Sequence, residues 1–215
     1  MSLDLERRLR NGVDALGLPL VDAQIGQLLE YLALIQKWNK VYNLTAVRDP
    51  GEMLSHHLLD SLAVIPPLLR HTESQNFSLL DVGSGAGLPG VVIAICLPRA
   101  KVDCVDTVAK KAAFIQQVAV ALKLVNLHGM HDRVENLTQP YDIISSRAFA
   151  SLNDFVTWSS SALAERGVWM AMKGKDPAQE IALLPQIVEM FHVEQLKVPG
   201  LDAERCLVWL RRAGG

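Results

Sequence analysis

The pattern of apolar positions divides the chain into two textures. Up to about residue 77 the apolar residues recur at helical spacing. Leu3, Leu5, Leu9, Val13 and Leu16 form an uneven stripe closed by Gly17 and Pro19. Ile25, Leu28, Leu29, Leu32, Ile35 and Trp38 form a second stripe, for which Asp22 is a candidate cap. A third helix is expected from Asp49-Pro50, through Met53, Leu54, Leu58 and Leu62, towards Pro66-Pro67. After residue 77, short apolar runs alternate with amphipathic segments. The strands expected are 78–82, 101–106, 127–131, 141–146, 167–173, 191–198 and 206–211. Helices are expected from Val91, over 109–123, over 152–164 and over 178–188. Such alternation implies a parallel sheet covered on both faces. The last two strands have no helix between them and should pair antiparallel. The expected fold is therefore α/β, a Rossmann-like seven-stranded sheet, mostly parallel with an antiparallel last strand. Its division would be an N-terminal helical extension over 1–77 and a sheet domain over 78–215.

Composition narrows the class without naming a function. Half of the 215 residues are apolar, enough for a substantial core. No apolar run reaches membrane-spanning length, and the N-terminus lacks a secretory pattern, so a cytoplasmic protein with no membrane partner is expected. The cysteines, Cys96, Cys104 and Cys206, are odd in number and widely spaced, which argues against a disulfide framework. His56-His57 is not a metal pair, since adjacent helical residues point apart; no metal site is expected. One of the two could pack against Asp60. A net charge of −2 means that any nucleic acid must be held by a local basic patch.

The chemistry centres on residues 79–90, Leu-Leu-Asp-Val-Gly-Ser-Gly-Ala-Gly-Leu-Pro-Gly. Strand, glycine turn and helix in succession hold a nucleotide-like ligand over the edge of an α/β sheet. Gly85, Gly87 and Gly90 match the dinucleotide fingerprint. Three features favour another ligand. Asp81 precedes the glycines, which resembles motif I of the S-adenosylmethionine-dependent methyltransferases and suits a cationic cofactor. Pro89 removes an N–H that a pyrophosphate would use. Little chain remains for a dehydrogenase's substrate domain. Asp106, closing the second strand, suits ribose hydroxyls under either reading, or a cap for the next helix. Arg133, Arg147, Lys173 and Lys175 fall at or near the carboxyl ends of strands. Together with Arg205 they are the candidates for the local basic patch that any nucleic acid would need. Trp38 reads as packing, and Asn39 and Asn43 as partners for backbone in the turn after the second helix.

Six segments stand in one order: Lys37-Trp38-Asn39-Lys40, Tyr42-Asn43-Leu44-Thr45, His57-Leu58-Leu59-Asp60-Ser61, residues 81–90, Ser146-Arg147-Ala148 and Lys173-Gly174. Together they resemble the glucose-inhibited division protein B family, the small-subunit rRNA methyltransferases G, over essentially the whole chain. The resemblance implies a bacterial cytoplasmic enzyme, expected as a monomer, that moves a methyl group from S-adenosylmethionine to N7 of guanine 527. That base lies in the 530 loop of 16S rRNA, in the small ribosomal subunit. It also implies site roles. Asp81, Gly83, Gly85, Gly87 and Leu88 would form the cofactor loop, and Asp106 would meet the ribose. Val134 and Glu135 would flank the adenine. Arg147 would stand at the mouth shared by cofactor and substrate, the candidate catalytic residue. The nucleic acid for the basic patch of Arg133, Lys173, Lys175 and Arg205 would be RNA. One departure is visible: the family's Glu-Arg-His is Glu204-Arg205-Cys206 here. Two other classes remain open, a cofactor-binding regulatory protein without catalysis and a small NAD-dependent oxidoreductase.

Overall fold

The computed structural model describes residues 3–149, 151–174 and 177–214. Its centre is a seven-stranded sheet: β1 (Ser78–Val82), β2 (Lys101–Asp106), β3 (Leu127–His131), β4 (Tyr141–Arg147), β5 (Leu163–Lys173), β6 (Val188–Gln195) and β7 (Cys206–Arg212). The order is β3-β2-β1-β4-β5-β7-β6. β1 pairs parallel with β2 and β4, β2 with β3, and β4 with β5. β7 enters between β5 and β6 and runs antiparallel to both.

Alternation along each strand sends successive side chains to opposite faces. Leu79, Val168, Met170, Met172 and Leu207 join one apolar cluster, while Leu80, Trp169, Ala171, Val208 and Leu210 join the other. The first cluster also takes in the N-terminal helices α1 (Leu3–Ala15) and α2 (Asp22–Tyr42) through Leu9, Ile25, Leu28, Leu32 and Ile35. Those helices therefore share a core with one face of the sheet. The start of α2 differs from the expectation for Asp22. That residue is the first helical one, and the Gln24 side chain reaches back to accept from the Val21 N–H at 3.1 Å. Gln24 Nε2 also donates to the carbonyls of Ile95 and Cys96, closing the end of α6 (Gly90–Cys96).

The third helix begins as expected. Asp49 caps it by accepting from the Glu52 N–H at 2.9 Å, with Pro50 in the first turn. It is a composite rod: α3 (Pro50–Met53), a π-helical stretch over Leu54–Leu59, then α4 (Asp60–Leu62). Pro66 and Pro67 do not end it; they open a new helix, α5 (Ile65–His71), where proline is tolerated because first-turn N–H groups have no helical partner. α7 (Ala109–Ala121) packs on the same side through Phe114 and Val118.

Two expected helices are shorter. α8 (Leu152–Ser159) stops at a run of three serines. Ser159 Oγ donates to the Phe155 carbonyl at 2.6 Å and accepts from the Trp169 indole at 2.9 Å. The chain then turns into β5, four residues earlier than the apolar run suggested. α9 spans only Ala178–Ile181, because Pro185 disfavours helix at the residue before it. β6 consequently starts at Val188.

Candidate functional site

The carboxyl ends of β1, β2 and β3 enclose a cavity of about 310 Å³, lined by Gly83, Asp106, Lys111, Val134, Glu135 and Phe149, among others. The glycine turn meets it at Gly83. Gly85 has φ of +60°, a conformation that L side chains rarely adopt, and this aims its N–H at Asp106 Oδ2, 3.0 Å away. Asp106 Oδ1 accepts from the Val108 N–H at 2.9 Å, and Lys111 Nζ stands 3.6 Å from Oδ2. This carboxylate thus both ties the following helix and faces the cavity, so the two alternatives for it coexist. Gly83 lies beneath the Phe149 ring, where a Cβ would come within 2.7 Å of Cδ2. Gly87 faces Val91 and Tyr31 instead, and Leu88 is buried in the core.

Asp81 is fully buried below the turn. Its Oδ2 accepts from the Gly90 N–H at 3.0 Å and its Oδ1 from Ser145 Oγ at 2.9 Å. Burial pushes its carboxyl up to about 6, against the pull of those two hydrogen bonds and of the Arg147 charge. Asp81 does not line the cavity; it braces the loop from behind. Gly90 permits that bracing, since a Cβ there would collide with Cys104 Sγ and stand 3.0 Å from Asp81 Oδ2. Tyr31 adds a second brace from α2, its hydroxyl donating to the Ala86 carbonyl at 2.6 Å.

On the outer rim, Arg133 donates to Glu135 Oε1 at 2.7 Å, and this bond holds the Glu135 carboxyl below its usual range. Val134 is buried between them at the cavity wall. Phe149 and Trp158 meet edge to face, with ring centroids 5.7 Å apart, and complete the opposite wall. Sequence reasoning missed both, since neither belongs to a periodic stripe or a spaced motif. Among the described residues, the pieces suit an adenosyl group. Asp106 offers carboxylate oxygen to hydroxyls, the turn lets backbone approach closely, and Val134, Phe149 and Trp158 offer apolar surface to a base.

A second cavity, about 270 Å³, opens beside the ends of β4 and β5 and is lined by His56, Asp60, Arg147, Lys173, Gly174 and Arg205, among others. Arg147 Nη1 donates to the His56 carbonyl at 2.9 Å and to Asp60 Oδ2 at 3.0 Å. Arg205 Nε donates to Asp60 Oδ1 at 2.7 Å. Lys173 Nζ pairs with Glu180 Oε2 at 2.8 Å. The structure thus gathers Arg147, Lys173 and Arg205 at one mouth, and leaves Arg133 at the rim of the first cavity. Lys175 lies outside the described residues. Cys206 opens β7 opposite Lys173, so the position that departs from the family pattern borders this mouth.

The histidine expectation needs correction. Asp60 pairs with two arginines and not with a histidine; His57 Nε2 instead meets Thr45 Oγ1 at 2.9 Å. Asp60 itself was visible only as part of the His-Leu-Leu-Asp-Ser segment, because its partners lie 87 and 145 residues away in sequence. Thr45 is held in turn by Asn39 Oδ1, which accepts from its N–H at 2.9 Å. Asn43 ends α2 in the left-handed conformation and accepts from Arg48. Trp38 packs on Phe114, with ring centroids 5.3 Å apart.

Solved structures place this architecture. TrmN from Thermus thermophilus superimposes with a TM-score of 0.57 at 19% identity, over 74% of this chain and 53% of that one. The N-methyltransferase NodS from Bradyrhizobium japonicum, in complex with S-adenosyl-l-homocysteine, gives 0.55 at 13% identity, over 83% and 99%. A protein named ribosomal RNA small subunit methyltransferase G from Polaromonas sp. is 68% identical, over 96% of this chain and 93% of its own length. The profile of the GidB family, described as rRNA small subunit methyltransferase G, matches residues 24–208. With this match and that identity, the chain belongs to the GidB family of rRNA small subunit methyltransferases G.

Proposed function

We propose that this protein is an S-adenosylmethionine-dependent methyltransferase acting on N7 of a guanine of bacterial 16S rRNA, guanine 527 in the 530 loop, and that it works in the cytoplasm as a monomer. The observation that carries the reading is the pairing of two cavities along one sheet edge. One is built around Asp106 and the braced glycine turn; its neighbour is built around Arg147, Lys173 and Arg205. The first suits a cationic adenosyl cofactor, and the second suits an RNA backbone. When bound, the cofactor supplies an electrophilic methyl group on a sulfonium centre.

The protein's own tasks follow from guanine chemistry. N7 carries a free lone pair, so no proton has to leave before attack and no strong general base is required. Alignment and exclusion of water are then the main contributions. Asp106, Val134 and Glu135 would hold the adenosine end, and the turn from Gly83 to Gly87 would support the rest. Arg147 is the last residue of β4, and β4 lies beside β1, so it stands between the two cavities. Both its hydrogen bonds to described residues leave from Nη1 and its side chain is about a fifth exposed, so among the described residues the other edge of the guanidinium is left for guanine O6 or a phosphate. A bidentate arginine contact to O6 and N7 is excluded in the reactive pose, because N7 must face the methyl group.

The test is incubation of the purified protein with radiolabelled S-adenosylmethionine and small subunits that lack the modification, followed by mass spectrometry of the 16S rRNA. Label on N7-methylguanine at position 527 is expected. Label elsewhere, or none, refutes the reading, and none would favour the regulatory alternative. A melting point raised by NADH and not by S-adenosylmethionine would favour the oxidoreductase; a ligand at 100 times its dissociation constant stabilises by about 2.7 kcal/mol.

A further inference from the structure

Asp60 is 2% exposed at the start of α4, directly after the π-helical stretch. Each of its oxygens takes one guanidinium, and the two come from different strands of the sheet. Arg147 ends β4, and Arg205 immediately precedes β7. A carboxylate from the N-terminal helices therefore indexes two cations whose strands are separated in the sheet by β5. Burying such a trio is a poor way to gain stability, since desolvation offsets most of the attraction. The geometry indicates another use. Both arginine side chains remain about a fifth exposed, at 21% and 22%, and both line the second cavity. Among the described residues, Arg205 spends Nε on Asp60 and Nη1 on the Glu204 carbonyl, while Arg147 spends Nη1 alone. Two cations facing one carboxylate keep one net positive charge at the cavity floor. A fork held at one end and open at the other is suited to an oxyanion.

We propose that Asp60 is a positioning residue that sets Arg147 and Arg205 as a paired receptor for one phosphodiester of the RNA strand carrying the target base. The inference rests on the RNA-methylating reading above and adds the element that fixes the distance from phosphate to methyl donor. Asp60 touches neither substrate nor cofactor; it acts through the two arginines. Misplacing a bound group by an ångström can lower a rate by about 100-fold, so the effect belongs in kcat more than in cofactor affinity.

The experiment compares wild type, Asp60→Asn, Arg205→Ala and the double variant on unmodified small subunits. With Asp60→Asn, kcat is expected to fall about 100-fold. The S-adenosylmethionine dissociation constant, read by calorimetry, should stay within about twofold, because Asp60 is not in the first cavity. Binding of the subunit should fall more steeply with salt, because the site gains one net positive charge, and each charge neutralised on a single strand adds about 0.7 to the slope. In the Arg205→Ala background the same substitution should cost much less than 100-fold. An unchanged kcat, an equal loss in both backgrounds, or an unchanged salt slope would overturn the proposal. Should Asp60→Asn not fold, Asp60→Glu keeps the charge and moves the carboxylate by one methylene. Its kcat should drop while its melting point and cofactor affinity hold, and an unchanged kcat would overturn the proposal. A wild type that labels no RNA fails the underlying reading and this inference with it. An active wild type with insensitive variants fails this inference alone.

Discussion

Asp81→Asn isolates the cost of a buried charge behind the glycine turn. The side chain is fully buried and its carboxyl is raised from 3.8 to about 6, with desolvation the largest cause. Between those values the folded protein binds a proton that the unfolded chain has released. Stability from this group is therefore greatest at low pH, falls as pH rises through the window, and is flat above about 6. The full effect is about 3 kcal/mol, of which about 2 kcal/mol lies between pH 4.5 and 7.5. Asparagine carries no proton to lose. Its carbonyl oxygen can accept from the Gly90 N–H and its amide can donate to Ser145 Oγ, so both braces survive with the second one reversed. Urea unfolding of both proteins across this range should show the variant gaining on wild type by about 2 kcal/mol as pH rises, whatever the offset at pH 4.5. A difference independent of pH, or one that shrinks as pH rises, would refute the assignment of a desolvated carboxylate.

Asp106→Asn weakens the acceptor at the cavity edge. Charged hydrogen bonds contribute about 1.5–3 kcal/mol, so S-adenosylmethionine should bind about 10- to 100-fold more weakly by calorimetry. Gly90→Ala drives a methyl group into Cys104 Sγ and towards Asp81; a loss of about 1–3 kcal/mol is expected in chemical denaturation. His57 is lowered to about 4, chiefly by burial and then by the Arg147 charge. Its contribution to stability is present above the ordinary 6.5 and is lost as pH falls towards 4, the reverse of Asp81. The advantage of wild type over His57→Gln should thus shrink across that interval.

Much of the sheet was legible because strand burial is written in short apolar runs, and parallel pairing leaves both faces apolar. Leu79 and Leu80, adjacent in sequence, enter opposite clusters, and nothing but the strand period is needed to foresee it. The errors fell where local chemistry overrides period. A serine run ended α8, and Pro185 cut α9 to one turn. Asp106 and Arg147 were legible from strand ends, Arg147 with the help of resemblance. The clamp at Asp60 was not, because pairing across 87 and 145 residues leaves no local trace. The Asp81 brace was hidden for a related reason: a motif acid reads the same whether it faces the ligand or the core. Phe149 and Trp158 carry no pattern at all and became visible only when the ends of β1 to β3 were seen to form a wall with them.

The position of β7 bears on how the chain is made. It is the last strand in sequence and yet lies inside the sheet, between β5 and β6. During synthesis from the N-terminus, β6 emerges with no hydrogen-bonding neighbour and waits for Cys206–Arg212 to follow. Until then β5 presents an unpaired edge, a surface that invites pairing with other chains. The buried Trp169 of β5 and Trp209 of β7, which enter the apolar clusters on opposite faces of the sheet, take their places only at that late stage. A nascent chain stalled before residue 206 would hold every residue named in the first cavity and still lack a closed sheet. Closure of the sheet should therefore wait until Cys206–Arg212 has left the ribosome.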